Sequence, residues 1–262
     1  MSHKLINHFG GWVRPKELWV GRPVFGVQYT PHIDKLPSSV DLRSEMPPIR
    51  DQGQLGSCTA FAWTGALQHM AMKENLPSGP TEPSELAFYY AERTLLGTTN
   101  SDSGASLSDG AKVSMNTGWL AESTWPYNIS KYTVPPPNGP ILGKDSICLS
   151  INQNEKDIKT ALAEGFGVPF GIVVYSSFEN APGGNVPMPN TGFSLFGFRL
   201  WGDSILGGHA IVLVGYDDAK QHFIFRNSWG TLWGDSGYGY LPYKYVLDAN
   251  LSGDFWTPRK VV

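Results

Sequence analysis

Residues Arg50–Gly65 read RDQGQLGSCTAFAWTG. A loop of small and turn-forming residues with one glutamine to spare runs straight into an apolar segment. Ser57 stands where an N-cap belongs, and Ala60, Phe61, Thr64, Leu67, Gln68 and Ala71 follow at helical spacing until NLPSGP ends the run. Cys58, one of only two cysteines in the chain, sits at the join. A thiol in the first turn of a helix faces unsatisfied backbone N–H groups and the positive end of the helix dipole, which favours the thiolate. A thiolate nucleophile also needs a base, and the base needs an orienting group, so a histidine and a third residue must come from elsewhere.

Working outward, EPSELAFYYAERTLLG predicts a second helix with Ser84 as cap and Gly97 as stop, and SLSDGAKVSMNTGWLAE a third. After VPPPNGP the character changes. NEKDIKTALAEG predicts one more short helix, while VPFGIVVY, GHAIVLVGYDD, HFIFRNSW and GYGYLPY predict strands separated by Gly/Asp turns. The expectation is therefore an α+β chain, helix-rich first and strand-rich second. No assignment follows for strands beyond Tyr245.

His3, His8 and His32 lie in the first 35 residues, His69 sits in the helix that Cys58 opens, and His222 follows a turn. His209 leads a strand so apolar that a polar first residue needs a reason. Eighteen residues later Asn227 ends a second apolar strand and is followed by Ser-Trp-Gly. Adjacent antiparallel strands would bring His209 and Asn227 together, with Trp229 as a roof against water.

DQGQLGSCTAFA, GGHAIVLVGYDD and RNSWGTLWGDSGYG, in that order, resemble the three signature blocks of the papain-like cysteine peptidases, with the histidine 151 positions after the cysteine. LPSSVDLRSEMPPIRDQGQLGSC is similar to the start of a mature enzyme, and STWPYN to a short block before the crossover between lobes. The resemblance runs from about Leu36 to Tyr245 and points to short-prosegment, disulfide-poor members. It implies a papain-like two-lobed α+β fold, with a helical N-terminal lobe (39–128), a strand-rich, barrel-like C-terminal lobe (129–262) and a cleft between them.

The implied activity is hydrolysis of peptide bonds in peptide or protein substrates, without metal or cofactor. Cys58 would be the nucleophile, His209 the base and acid, and Asn227 the orienting group. Gln52 and the Cys58 N–H would hold the oxyanion, and Trp229 would shield the His–Asn pair. Gly104 and Ala105 would pair with substrate backbone, Ser106 and Leu107 would edge the S2 pocket, Val173 and Gly208 would face them, and Trp233 would line the leaving-group side. Two departures stand out. Leu55 replaces a family cysteine, removing a disulfide, and Thr59 replaces an aromatic after the nucleophile. Two other functions use the same scaffold: a catalytically silent peptide-binding protein, and an enzyme that passes the acyl group to an amine.

Hydrophobic content of 41% and charged content of 16% fit an ordered globular chain, and thirty glycines and twenty prolines a loop-rich one. No dense Lys/Arg cluster marks a nucleic-acid partner. The longest aliphatic run, AIVLV, is too short for a bilayer, and the first twenty residues lack a signal-peptide core. Two cysteines make no disulfide framework, so a cytoplasmic home is expected.

Residues 1–38 read as a separate arm. Lys4, Arg14, Lys16, Arg22 and Lys35 outnumber Glu17 and Asp34 in a chain of net charge −3, and Phe9, Trp12, Trp19, Phe25 and Tyr29 are too many aromatics for a solvated tail. The expectation is an arm docked in cis, acting as a short inhibitory propeptide or as a brace. Cys148 reads as a core residue, His69 as an ordinary helix residue, GFGVPFG as a turn into a strand, and the sequons at Asn128 and Asn250 as chance. The long segment 179–208 reads equally as a lid or as a surface loop packing its own aromatics.

Overall fold

In a computed structural model, residues 11–261 are described, apart from 18, 30, 32, 34, 191, 196 and 197; for 146, 193–195 and 198–201 the description is of backbone only. The arm residues Lys4, Phe9, His3, His8, His32 and Asp34 lie outside it.

In chain order the elements are β1 (Ser39–Asp41), α1 (Cys58–Lys73), α2 (Glu85–Leu96), α3 (Leu107–Asn116), β2 (Asp145–Ser150), α4 (Glu155–Ala163), β3 (Val168–Tyr175), α5 (Ser176–Glu179), β4 (Phe193–Leu195), β5 (Phe198–Trp201), β6 (Ile205–Asp217), β7 (His222–Arg226), β8 (Tyr238–Pro242), α6 (Tyr243–Leu247), β9 (Ser252–Gly253) and β10 (Trp256–Val261). After the short strand β1, the three helices α1–α3 come before the remaining strands, as the sequence pattern implies.

Local chemistry sets the helix ends. The Ser84 hydroxyl accepts the Ala87 N–H and Gly97 closes α2 in the left-handed conformation, φ 68°. Ser106 and Asp109 form a reciprocal capping box on α3. Ser57 precedes α1 as expected, yet its side chain makes no cap; the hydroxyl meets the Tyr127 hydroxyl at 2.6 Å instead. Residues 58–71 of α1 are all buried, so the helix is covered on every side and shows little amphipathic contrast.

The main sheet is six-stranded and antiparallel, in the order β8-β7-β6-β3-β9, with β1 on the edge of β6. β3 pairs with β6 from Val168↔Leu213 to Tyr175↔Ile205, and β1 takes up the same edge at Gly215–Asp217. β7 lies along the other edge of β6, with Val212 opposite Arg226. The segment that carried no sequence assignment, β10, pairs with β2 and packs on α1, so the C-terminal strand returns from the main sheet to the helices. There Trp256 meets Trp63. In the 179–208 segment β4 and β5 form a hairpin, and Val186 is buried with its N–H on the Tyr240 carbonyl. The aromatic side chains 193–201, on which the lid expectation rests, lie outside the described residues.

Among the described residues no helix is long and apolar enough to cross a membrane.

Candidate active site

The loop before Cys58 is held on several sides. The Gln52 N–H donates to the Ser228 carbonyl (2.9 Å), and the Tyr127 hydroxyl donates to the Gln52 carbonyl (2.7 Å). The Gly56 N–H reaches both carboxylate oxygens of Asp102, at 3.1 and 3.0 Å. Tyr89 extends this clamp: its hydroxyl donates to Asp102 (2.5 Å) and accepts the Gly104 N–H (3.0 Å). One carboxylate thus links the nucleophile loop to the Gly104–Ala105 stretch, with Leu55, where the family has a cysteine, buried beside it. Gln52 is fully buried. Its Oε1 accepts the Ser228 hydroxyl (2.6 Å) and its Nε2 donates to the Leu55 carbonyl (2.9 Å), which fixes which end of the amide is which.

His209 and Asn227 meet because β7 runs antiparallel beside β6 and ends where the apolar part of β6 begins. The His209 Nε2 lies 2.8 Å from Asn227 Oδ1. That oxygen also accepts the Ser228 N–H at 2.8 Å, so it is the acceptor end of the amide and Nε2 carries the proton. The imidazole is fully buried under Trp229, which stacks on it at 4.7 Å and 30°, and Phe178 stands edge-on at 6.3 Å. Trp233 stacks on Phe178 at 5.3 Å, and its indole N–H binds the Glu179 carbonyl. It is buried in this aromatic cluster.

Cys58 joins the two halves. Its Sγ accepts the N–H of Ala210, the neighbour of His209, at 3.3 Å. The N–H groups of Cys58 and Thr59 also favour the thiolate, as a helix N-terminus should. Burial nevertheless wins: the sulfur has no exposed surface, and desolvation pushes the thiol pKa up to about 12. The sequence reading, which placed a thiolate here, lacked that covering. Thr59, at the position of the family's aromatic, is buried and donates its hydroxyl to Glu92 at 2.8 Å.

Part of the cover is the arm. Ala105 donates its N–H to the Gly11 carbonyl and accepts the Val13 N–H, both at 2.9 Å, and the Trp12 N–H reaches the Gly208 carbonyl at 3.4 Å. A side chain on Gly11 would stand 2.7 Å from Cys58 Sγ and 2.5 Å from the Gly56 carbonyl oxygen, so only glycine passes there. The Trp12 indole, 5% exposed, lies against Gly171, where a Cβ would strike the ring; at Gly208 a Cβ would strike the Trp12 carbonyl oxygen and crowd the ring. Its N–H points to Asp254 Oδ2 at 3.4 Å, the oxygen that accepts the first N–H of α3, from Leu107, at 2.7 Å. Arg14 binds the carbonyls of Ala249 (2.6 Å), Asn250 (3.4 Å) and Ser252 (3.2 Å).

The expected substrate residues therefore divide. Ala105 and Gly208 have their backbone groups engaged by the arm. Gly104, with φ 66°, is held by Tyr89. The Ser106 hydroxyl is spent on the cap of α3, and Leu107 is fully buried with its carbonyl on the Trp63 indole N–H. Val173 is half-buried opposite Gly208, and its carbonyl accepts the Tyr245 hydroxyl. Gly171, Asp254, Asp102 and Tyr89 were not singled out from the sequence, because none sits in a local motif with a chemical signature. No group of His, Cys, Asp or Glu among the described residues is arranged to hold a metal ion.

A sequence model of papain family cysteine proteases matches residues 36–246. An uncharacterized peptidase C1-like protein of Acanthamoeba polyphaga mimivirus is 35% identical over 229 residues, covering 80% of this chain and 69% of the viral one. Peptidase 1 of the mite Dermatophagoides farinae is 28% identical over 213 residues, covering 79% of this chain; the match spans 61% of the mite protein, less than two thirds of its length. Among solved structures, xylellain, a cysteine protease from Xylella fastidiosa, superposes with a TM-score of 0.85 at 30% identity, each chain covered fully. Digestive procathepsin L2 of Tenebrio molitor, at 19% identity with 97% of this chain and 79% of its own covered, shares the fold with a TM-score of 0.71. The matched span contains the loop and strands that bring Cys58 to His209, and the chain belongs to the papain family of cysteine proteases.

Proposed function

We propose that this cysteine peptidase is made as a zymogen whose own N-terminal arm fills the cleft, and that peptide or protein substrates take the arm's place once it leaves. The observation that carries the reading is the Gly11 backbone lying against Cys58 Sγ while its carbonyl and the Val13 N–H occupy both backbone groups of Ala105. The helical half, 39–128, presents the nucleophile; the strand-rich half, 129–262, presents the base.

In the open enzyme the Cys58 thiolate attacks the scissile carbonyl. The Cys58 N–H and a Gln52 Nε2 hydrogen hold the oxyanion, and that amide is pre-oriented by Ser228 and Leu55. His209, its Nε2–H fixed on Asn227, uses Nδ1 to take the thiol proton and pass it to the leaving amine. Water then hydrolyses the acyl-enzyme with the same imidazole as base. Uncovering Cys58 lowers its pKa, because desolvation is the largest cause of the raised value.

The test is intact-mass analysis of the folded full chain treated with a thiol-reactive peptide epoxide, before and after limited proteolysis that strips the arm, with Cys58→Ala as control. The expected result is one adduct, on Cys58, after stripping only, and no peptide hydrolysis by Cys58→Ala. Equal labelling before and after stripping overturns the inhibitory arm. Hydrolysis by Cys58→Ala overturns the nucleophile.

A further inference from the structure

The arm is two devices in one strand of chain. Its first part, Gly11 to Arg14, touches the cleft through backbone hydrogen bonds, one indole and one guanidinium. Its second part, Pro23 to Tyr29, is built into the body against Ser150 of β2 and Arg259 of β10. The Phe25 N–H donates to the Ser150 carbonyl and the Ser150 N–H to the Pro23 carbonyl, both at 2.8 Å, so this segment adds rungs to the free edge of β2.

The Phe25 side chain is 1% exposed and counts among the largest fully buried side chains of the protein. It stacks with Tyr29 at 5.6 Å. The Arg259 guanidinium lies over Phe25 (4.8 Å), Tyr29 (4.6 Å) and Phe166 (4.1 Å), and pairs with Glu164 at 2.7 Å; the side chains of this ion pair are 1% and 6% exposed. Stripping Pro23–Tyr29 would remove two of the three rings packed on a buried arginine–glutamate pair, one of them a core phenylalanine. A buried ion pair tolerates loss of its packing poorly, since both charges were desolvated to place it there.

Between the two parts the chain turns outward. The Arg22 N–H closes a turn on the Trp19 carbonyl at 3.2 Å; Val20 at its tip is 90% exposed, and Gly21 (φ 78°) has nothing within 4 Å of where a Cβ would stand. Exposed tips with small residues are where nicking concentrates. We propose that activation cuts the arm in this turn, Trp19–Arg22, releasing the cleft-filling piece and keeping the residues from Arg22 onward as a permanent part of the active enzyme. The inference rests on the inhibitory reading of the arm and places its processing point. The step is ordinary hydrolysis: a peptidase adds one water across one backbone amide, leaving a carboxylate on the released piece and an ammonium on the retained one.

The experiment uses the full chain carrying a recognition segment for a sequence-specific protease, inserted between Val20 and Gly21 in one variant and between Lys35 and Leu36 in another. Each is cut after folding and followed by size exclusion with intact mass, thermal melting and Cys58 labelling. The first cut is expected to shed the short N-terminal piece, raise Cys58 labelling on the order of 100-fold, and lower Tm by roughly 6–11 °C, because a docking equilibrium of that size is worth ~2.8 kcal/mol. The second cut is expected to leave its fragment bound. Phe25→Ala in the uncut chain is expected to lower Tm by about 10 °C without exposing Cys58.

Departure of the whole fragment after the second cut, with the Tm and activity of the first-cut form, overturns the proposal. So does an unchanged Tm in Phe25→Ala. Loss of the short piece with no rise in labelling overturns the inhibitory reading, and with it the role of the cut, while the second cut still decides whether Pro23–Tyr29 is an anchor.

Discussion

Trp12→Ala in the full chain is the sharpest perturbation of the closed state. The side chain is 5% exposed and rests on glycines at 171 and 208, with its N–H toward Asp254 and Arg14 over its ring at 5.3 Å. A tryptophan buries about 150–250 Å², which at ~25 cal/mol per Å² is about 4–6 kcal/mol of apolar transfer, an upper value because an undocked arm keeps some contacts. Core Trp→Ala changes cost about 3–5 kcal/mol. Taking ~3 kcal/mol for the docking equilibrium, the open fraction rises about 150-fold, since ~1.4 kcal/mol is tenfold. The assay is the rate of single-adduct formation by a peptide epoxide at neutral pH, read by intact mass. Cys148, 1% exposed, is the internal control, because its labelling would report unfolding and not arm release. Trp12→Phe keeps most of the ring packing and should fall well below the alanine effect. A Trp12→Ala rate within about threefold of the parent, with Cys148 silent, would refute the docking energetics, because the indole would then contribute under ~0.7 kcal/mol.

Two further outcomes are expected. Asp102→Ala, measured on enzyme with the arm removed, should lower kcat/KM about tenfold or more with an unchanged pH profile, because the Gly56 N–H and the Tyr89 hydroxyl lose a charged acceptor and the nucleophile loop shifts; Asp102→Asn should recover part of the loss, and unaltered kinetics in the alanine variant would remove Asp102 as a positioning residue. Glu92 is fully buried, and burial raises its pKa well above the usual carboxylate value, with the Thr59 hydroxyl opposing and Asp109 and Arg93 as its charged neighbours. A carboxyl with a raised folded pKa contributes stability below its unfolded value of about 4.3 and loses it as pH rises toward the folded value, so Glu92→Gln should gain Tm relative to the parent as pH rises above about 4.3; a Tm difference that does not vary with pH would contradict the raised pKa of Glu92.

Much of this protein was legible in the linear chain, and for a local reason. VPFGIVVY is β3 from end to end, and Ser84 and Gly97 bound α2, because a run of β-branched and aromatic residues and helix capping both act within a few residues. Cys58, His209, Asn227 and Gln52 stood out because each lies in a compact block; β6 itself begins earlier, at Ile205, so His209 stands inside the strand at the start of its apolar part and not at its head. The Ser57 side chain departs from its expected capping role because Tyr127, seventy residues on, competes for its hydroxyl.

What no window of sequence contains is which distant surfaces cover one another. Asp102 reaches Gly56 across 46 residues and Trp12 reaches Asp254 across 242, with no spacing rule to announce either contact. Strand β10 became visible only through β2 and α1, the elements that bury it. The ionisation of Cys58 follows the same logic. A helix N-terminus, readable from a few residues, favours the thiolate, while the desolvation that outweighs it comes from chain distant in sequence packed over the sulfur, Gly11 and Ala210 among it. Propensity and motif are properties of neighbours along the chain; burial is a property of neighbours in space, and in this protein burial sets the state of the nucleophile.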